Sequence, residues 1–447
     1  MSFIAPPPLE GVLVLDLSRV LAGPFATMML ADMGAVVIKI EEPARGDDTR
    51  GFGPPFVNGE STYFMSCNRN KWSLAVDLKS DEGRSLVTDL ALQADIVVEN
   101  FRPGTAARMG LGYDDLVKRK PELIYVSISG FGQTGPERER AGYDVLAQGM
   151  GGVMSVTGPK DGQPYKVGVS QADLVAGMYA VQGALLALIS RSRTGRGQLV
   201  DVSLLDGQVS LLSFLGTAWL NAGREPARHG NQHASIAPYQ SYETADGRIC
   251  VAVGNDALFV TLSRELGRPE LSEDVRFSTN RARVENVMAL NEVLEPLFLT
   301  RTTAAWIELL DGAGIPAGPI RTVSEVFDSE QVQARGMVCH LDHPTVGPVR
   351  LIGNPIHLSA TPPRYELAPP LLGQHSEQVL RIVLKMSDDE IAGLRDRGVI
   401  RQWSDEHEAT PPEPASALGE GREAEVGQAS ARSEADGEGV PTDGGAQ

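Results

Sequence analysis

Short apolar runs alternate with amphipathic stretches along the first two hundred residues. Residues 11–17, 35–41, 73–77, 96–99 and 123–128 are brief, rich in Val, Ile and Leu, and bounded by turn residues, as buried strands are. Between them, residues 25–33, 81–93 and 105–109 carry apolar positions at helical spacing. Strand–helix–strand alternation of this kind predicts a mostly parallel sheet covered on both faces. A longer stretch follows. From Leu174 the apolar residues fall at Leu174, Val175, Met178, Val181, Leu185, Leu188 and Ile189, a spacing of three and four that predicts a helix over 174–191. Asp173 stands just before it, where an N-cap belongs, and the helix dipole there favours an ionised carboxylate. Residues 166–169 read as a short extended segment, 199–203 as another strand and 205–220 as a long helix.

The pattern changes near residue 223. A Gly/His-rich loop at 228–235 precedes an alternating stretch over 239–253 broken by Ala245-Asp-Gly247, the signature of a hairpin. Helical spacing resumes at 256–266, 281–297 and 303–313, then mixed short strands and a helix at 377–384. The expected architecture is α/β: a Rossmann-like doubly wound large domain built from 1–222 and a return segment, 326–403, with a smaller α+β domain, 223–325, inserted between them. Residues 404–447 hold eleven acidic residues and two arginines among Ala, Gly, Ser and Pro. So polar a tail cannot bury enough surface to offset its ordering entropy and is expected to be disordered.

That tail carries half of the net charge of −18, so the remaining chain is only mildly acidic. Either way, no basic face is available for nucleic acid. Three scattered cysteines and seven histidines form no metal-binding or disulfide spacing, so no metal is expected. No apolar run of transmembrane length, signal peptide or transit peptide is recognisable, and a cytoplasmic protein is expected. A nicotinamide enzyme is disfavoured: the turn after the first strand offers Ala22-Gly23-Pro24 instead of G-x-G-x-x-G, and Pro24 has no N–H for a phosphate. The G-x-S-x-G elbow of a hydrolase is absent. Donor clusters at Asn68-Arg-Asn-Lys71 and Asn100-Phe-Arg-Pro-Gly104 flank strands whose far ends are the usual ligand crevice of such sheets, and Lys71, Arg102 and Arg108 could together meet the phosphates of a nucleotide-like ligand.

Several motifs follow one another along the chain: Leu9-Glu-Gly-Val, Leu15-Asp-Leu, Ala22-Gly-Pro24, Gly34-Ala-Val-Val-Ile-Lys-Ile-Glu41, Gly46-Asp-Asp-Thr-Arg50, Asn68-Arg-Asn-Lys71, Val98-Glu-Asn-Phe-Arg-Pro-Gly104, Gly142-Tyr-Asp144, Asp173 with Gly177, Thr194-Gly-Arg-Gly-Gln198, Gly314-Ile-Pro-Ala-Gly-Pro319 and Pro370-Leu-Leu-Gly-Gln-His375. Taken in this order they resemble the family III CoA-transferases, the formyl-CoA transferase and carnitine CoA-transferase group. The resemblance spans nearly all of residues 8–400. It implies that Asp173 is a nucleophile passing through an acyl anhydride and an aspartyl-CoA thioester. It also implies that a CoA thioester is substrate, with no permanently bound cofactor, and that the chain is an interlocked homodimer. By the same resemblance CoA is expected to contact Val20, Leu21, Asn68, Arg69, Asn70, Lys71, Asn100, Phe101, Arg102, Arg108, Met109, Arg140 and Tyr143. The loop His229, Gly230, Asn231, Gln232 and His233 is the candidate for the mobile glycine loop, and Arg50 or Arg19 is the candidate cation for a second substrate carboxylate. Leu21 and Glu42 stand where formyl-CoA transferases carry Gln and Arg, which points away from oxalate. The motif set is most similar to the branch that moves CoA from succinyl-CoA to dicarboxylic acids such as glutarate. An acyl-CoA racemase, the rival on the same fold, would need His beside Asp where this chain has Gly142-Tyr143-Asp144. A non-catalytic CoA-binding protein would leave Asp173 a mere helix cap.

Overall fold

The computed structural model describes residues 5–404 of the chain, so the tail 405–447 and its expected disorder lie outside the described residues. The first strands are β1 (Leu13–Asp16), β2 (Val36–Glu41), β3 (Lys71–Val76), β4 (Ile96–Glu99), β5 (Ile124–Ser129) and β6 (Leu199–Ser203). They form a parallel sheet in the order β3-β2-β1-β4-β5-β6, and a short last strand, Ile400–Arg401, pairs antiparallel with the β3 edge. Strand order reverses between β1 and β4, the switch point of a doubly wound sheet, where loops diverge and leave a crevice at the carboxyl ends of the strands.

Both faces of this sheet are buried, as the continuous apolar runs require. One face packs on α1 (Ala22–Asp32) and α2 (Gln171–Thr194) through Val14, Val37, Val98, Val126 and Ile128. The other packs on helices Asp81–Gln93, Ser376–Val383 and Asp388–Asp396 through Leu15, Ile38, Leu74, Val97 and Tyr125.

Helix α2 departs from the sequence pattern in three ways. It starts at Gln171 with Ser170 as N-cap, so Asp173 sits inside the first turn, not at the cap. Its buried face is the stripe Ala172, Ala176, Gly177, Ala180, Val181, Ala184 and Ala187, while Met178, Leu185 and Ile189 stand exposed. Close approach is the reason. A Cβ on Gly177 would lie 2.8 Å from the Ala22 carbonyl oxygen, so only small residues let α2 lie against α1. The helix is also long and apolar enough to cross a membrane by length and composition alone, contrary to the expectation from the sequence, with 39% of that window buried inside the protein. Residues 166–169 form no strand. The expected helix 205–220 is two helices, Leu204–Leu211 and Ser213–Ala222, broken at Ser213, whose φ is +43°.

Residues 237–317 enclose a core of their own. The expected hairpin is present as Tyr239–Glu243 paired with Arg248–Ala252, and Ala317–Pro319 adds a third antiparallel strand that the sequence pattern did not reveal. Helices Asp256–Glu265, Val287–Phe298 and Thr303–Gly312 cover it. A second hairpin, Val338–His343 with Gly347–Ile352, precedes the return to the large sheet.

Candidate active site at the sheet's switch point

The crevice at the β1/β4 switch point opens into a cavity of about 190 Å3. Arg19, Val20, Leu21 and Ala22 enter it from the turn after β1, and Asn100, Phe101, Arg102 and Pro103 from the loop after β4. Ser129 ends β5 and Gly130 follows it, Arg140 to Asp144 close one side, and Asp173 faces in from the first turn of α2. Of the residues named from sequence, Asp173, Val20, Leu21, Asn100, Phe101, Arg102, Arg140, Tyr143 and Arg19 are thus brought together from segments far apart in the chain.

Asp173 is half-buried, and its carboxyl is pushed up to about 7, first by burial and then by the negative charge of Asp144. The helix dipole, taken alone, would keep the group ionised. Desolvation outweighs the dipole here because the carboxylate loses water on several sides while the dipole acts only through the nearest turn. Asp144 is itself well partnered: it accepts the Ala172 N–H at 2.8 Å and the Gln148 side-chain amide at 2.8 Å, which ties the Gly142-Tyr-Asp segment to the start of α2. Tyr63, which no sequence feature singled out, belongs to the same neighbourhood. Burial and the charge of Asp173 push its hydroxyl up to about 12, and it hydrogen-bonds Ser170. Only the fold could reveal this, since Tyr63 lies 110 positions from Asp173 in a short helix, Thr62–Ser66.

Three arginines rim the cavity. Arg19 makes a 3.4 Å ion pair with Asp48 with both side chains more than half exposed, Arg140 pairs with Glu137, and Arg102 is exposed. Arginine forks suit carboxylate and phosphate groups alike.

The remaining expected contacts are placed elsewhere, and the reason is burial. Lys71 is fully buried: its ammonium donates to Asp16 at 3.1 Å, to the Pro24 carbonyl at 2.8 Å and to Asn68 at 2.8 Å. Arg69 is fixed on Asp32 at 2.9 and 2.6 Å and on the Ile352 carbonyl, while Asn70 bridges Asp32 to the 364–367 segment. So the Asn68–Lys71 cluster holds the sheet to the return segment and offers no free donor to a ligand. Arg50 is likewise committed, bidentate to Glu41 at 2.7 and 2.8 Å and lying 3.7 Å over the Phe64 ring, which leaves Arg19 as the available cation of the two proposed. Arg108 is exposed beside Thr105 and Met109 packs into the core, neither lining the cavity. The loop His229–His233 also lies away from the cavity. Gly230 hydrogen-bonds Gly158, Asn231 bonds Ser241 at 2.9 Å, and His233 stacks on Phe214 and meets the Tyr239 ring at a tilt of 55°. Among the described residues, no group of three or more His, Cys, Asp or Glu is placed to hold a metal.

A doubly wound sheet that presents a half-buried carboxylate and a rim of arginines at its switch point offers a candidate nucleophile beside cations suited to an anionic ligand. Comparison with known proteins is specific: CoA-transferase family III matches residues 9–376, and the chain belongs to that family. It is therefore a transferase. The chain is 46% identical over 395 residues to the succinyl-CoA:glutarate CoA-transferase of Mus musculus, covering 88% of this chain and 91% of that protein. It is 45% identical to the succinate–glutarate CoA-transferase of Agrobacterium fabrum, covering 84% and 95%. A CAIB/BAIF family protein from Brucella suis, 44% identical, superposes with a TM-score of 0.75 over 84% of this chain and 99% of its own.

Proposed function

We propose that this chain moves CoA from succinyl-CoA to a second dicarboxylic acid of glutarate type, with Asp173 as the nucleophile. The observation that carries the mechanism is the half-buried Asp173 carboxyl, pushed up to about 7 in a cavity rimmed by Arg19, Arg102 and Arg140. The choice of acids rests on the 45–46% identical relatives that carry those substrates in their names.

Once ionised, an Asp173 oxygen attacks the thioester carbonyl carbon. The tetrahedral oxyanion collapses with loss of CoA thiolate, giving a succinyl–aspartyl anhydride. The thiolate then adds to the Asp173 carbonyl carbon and expels succinate, leaving an aspartyl-CoA thioester. The acceptor carboxylate attacks that thioester, the thiolate departs, and its return to the acceptor carbonyl releases the new acyl-CoA and the free carboxylate. A poorly solvated carboxylate suits this role, because a nucleophile stripped of water needs less reorganisation to react. Arg19 is the cation for the second carboxylate of the acid, and Arg102 and Arg140 meet the anionic parts of the CoA thioester. The thioester is a substrate, so the cycle needs no permanently bound cofactor.

Large apolar residues stand exposed on α2, at Met178, Leu185, Leu186 and Ile189, and on helix Ser213–Ala222, at Phe214, Trp219 and Leu220. An apolar surface so extensive fits an interlocked homodimer in which a second copy covers it. In this reading 1–222 with 326–403 forms the CoA-binding domain, and 223–325 a smaller one. The deciding experiment is incubation with succinyl-CoA followed by hydroxylamine trapping and peptide mass spectrometry. A modified Asp173 is expected, and full transferase activity in Asp173→Ala would refute the mechanism.

A further inference from the structure

The turn between β1 and α1 contains a conformation that a valine avoids. Val20 has φ +70°, in the left-handed region, where its branched Cβ is crowded. Such a backbone persists only where its surroundings over-determine it, and such sites cluster where function requires them. Here the bracing comes from several sides. The Val20 N–H points at the Asp47 carboxylate, 3.2 and 3.3 Å from its two oxygens. Asn100 grips the preceding peptide, accepting the Arg19 N–H at 2.9 Å and donating to the Arg19 carbonyl at 2.6 Å. The Lys39 ammonium donates to the Ser18 carbonyl at 2.9 Å. The chain is folded so tightly that a Cβ on Gly23 would lie 2.2 Å from the Ser18 side chain.

Asp47 is the hub of this bracing, and it is itself immobilised. It pairs with Lys39 at 2.8 Å with both side chains fully buried, and accepts the Thr49 N–H and hydroxyl at 2.9 and 2.7 Å. Its own N–H donates to Glu41 at 3.0 Å. Asp47 does not line the cavity, whereas Arg19, Val20 and Leu21 do. We propose that Asp47 is a positioning residue for the transfer reaction: locked by Lys39, it holds the Arg19–Val20 peptide in its left-handed turn and so keeps Arg19 and Leu21 on the wall of the Asp173 cavity. This inference rests on the reading of Asp173 as nucleophile and names a residue, remote from the reacting atoms, on which the site's geometry depends.

The test separates the backbone brace from the ion pair. In Asp47→Leu with Lys39→Met the buried pair is replaced by apolar groups, a change that buried pairs often tolerate, but the Val20 and Thr49 N–H groups lose their acceptor and the Ser18 carbonyl its donor. The double variant is expected to fold with a lowered unfolding temperature, because the Thr49 N–H is left buried without a partner, and kcat/KM for succinyl-CoA falls by at least about tenfold, with KM raised, because the cavity wall has shifted. Asp47→Asn with Lys39→Met keeps one oxygen for the Val20 N–H and is expected to recover most of that loss. Wild-type kinetics in the Leu/Met variant, or equal impairment in both, overturns the proposal. Should the Leu/Met variant fail to fold, Asp47→Ala alone is compared with Asp47→Ala plus Val20→Gly, since alanine leaves the Val20 N–H without its acceptor. Glycine adopts a positive φ without a brace, so adding it is expected to raise kcat/KM, and no gain overturns the proposal. Absence of any succinyl adduct on wild-type Asp173 refutes the transfer reading itself. A wild-type adduct together with kinetically silent Asp47 variants refutes only the positioning role.

Discussion

Asp173→Asn is expected to stabilise the protein while abolishing transfer, and the gain has a definite pH dependence. Asp173 rises from 3.8 to about 7 on folding, chiefly through burial. Below pH 3.8 both folded and unfolded forms carry the proton and nothing is lost. As pH rises from 3.8 towards 7 the unfolded chain ionises while the folded one resists, so a penalty accumulates, and it is fully present above 7. About three pH units correspond to roughly 4 kcal/mol. Asp173 retains some solvent contact, and screening reduces the figure to about 2 kcal/mol. Asparagine keeps the shape and has no charge to desolvate. Urea unfolding at equal protomer concentration should show the variant more stable by about 2 kcal/mol at pH 8 and by about two fifths of that at pH 5. Activity should fall by about a thousandfold or more, since the amide cannot form the anhydride. A variant no more stable than wild type at pH 8, or one whose gain does not grow between pH 5 and 8, would refute the desolvation argument.

The same ionisation governs rate: kcat/KM should climb about tenfold per unit below pH 7 and level off above it, as a pH–rate profile would show. A flat profile from pH 5 to 8 would mean that Asp173 is not the group that must ionise. Arg19→Ala removes an exposed ion pair worth under about 1 kcal/mol, yet should raise KM for the dicarboxylic acid by about tenfold, measured against a monocarboxylic control. Lys71→Met breaks a fully buried pair with Asp16 and should cost roughly 3–5 kcal/mol in chemical denaturation; a stable variant whose defect is confined to KM would show that Lys71 meets the ligand after all. Gly177→Val drives a side chain to within 2.8 Å of the Ala22 carbonyl oxygen, so α1 must shift, costing about 1–3 kcal/mol in thermal or urea unfolding.

The alternation of apolar runs with helical spacings was enough to place the strands of the large sheet and the hairpin at 239–252, because a buried parallel strand and a two-residue turn each leave a local pattern. The loops after β1 and β4 were also legible as the walls of a crevice, since a doubly wound sheet opens beyond its strand ends, whereas Asp173 read locally only as a helix cap and was singled out by the family resemblance. Polarity alone misled at Asn68–Lys71 and at Arg50. A donor cluster looks the same in sequence whether it faces a ligand or a buried carboxylate, and Asp16, Asp32 and Glu41, which claim these groups, come from other strands and helices. Helix α2 misled for a related reason. The face that packs is chosen by how closely α1 approaches, so its alanines and glycine are buried and its larger residues are left outside. Tertiary structure alone set the charge state of Asp173, because desolvation and the field of Asp144 depend on what surrounds the carboxyl in space, whereas the helix dipole that the sequence announced is a local and weaker effect.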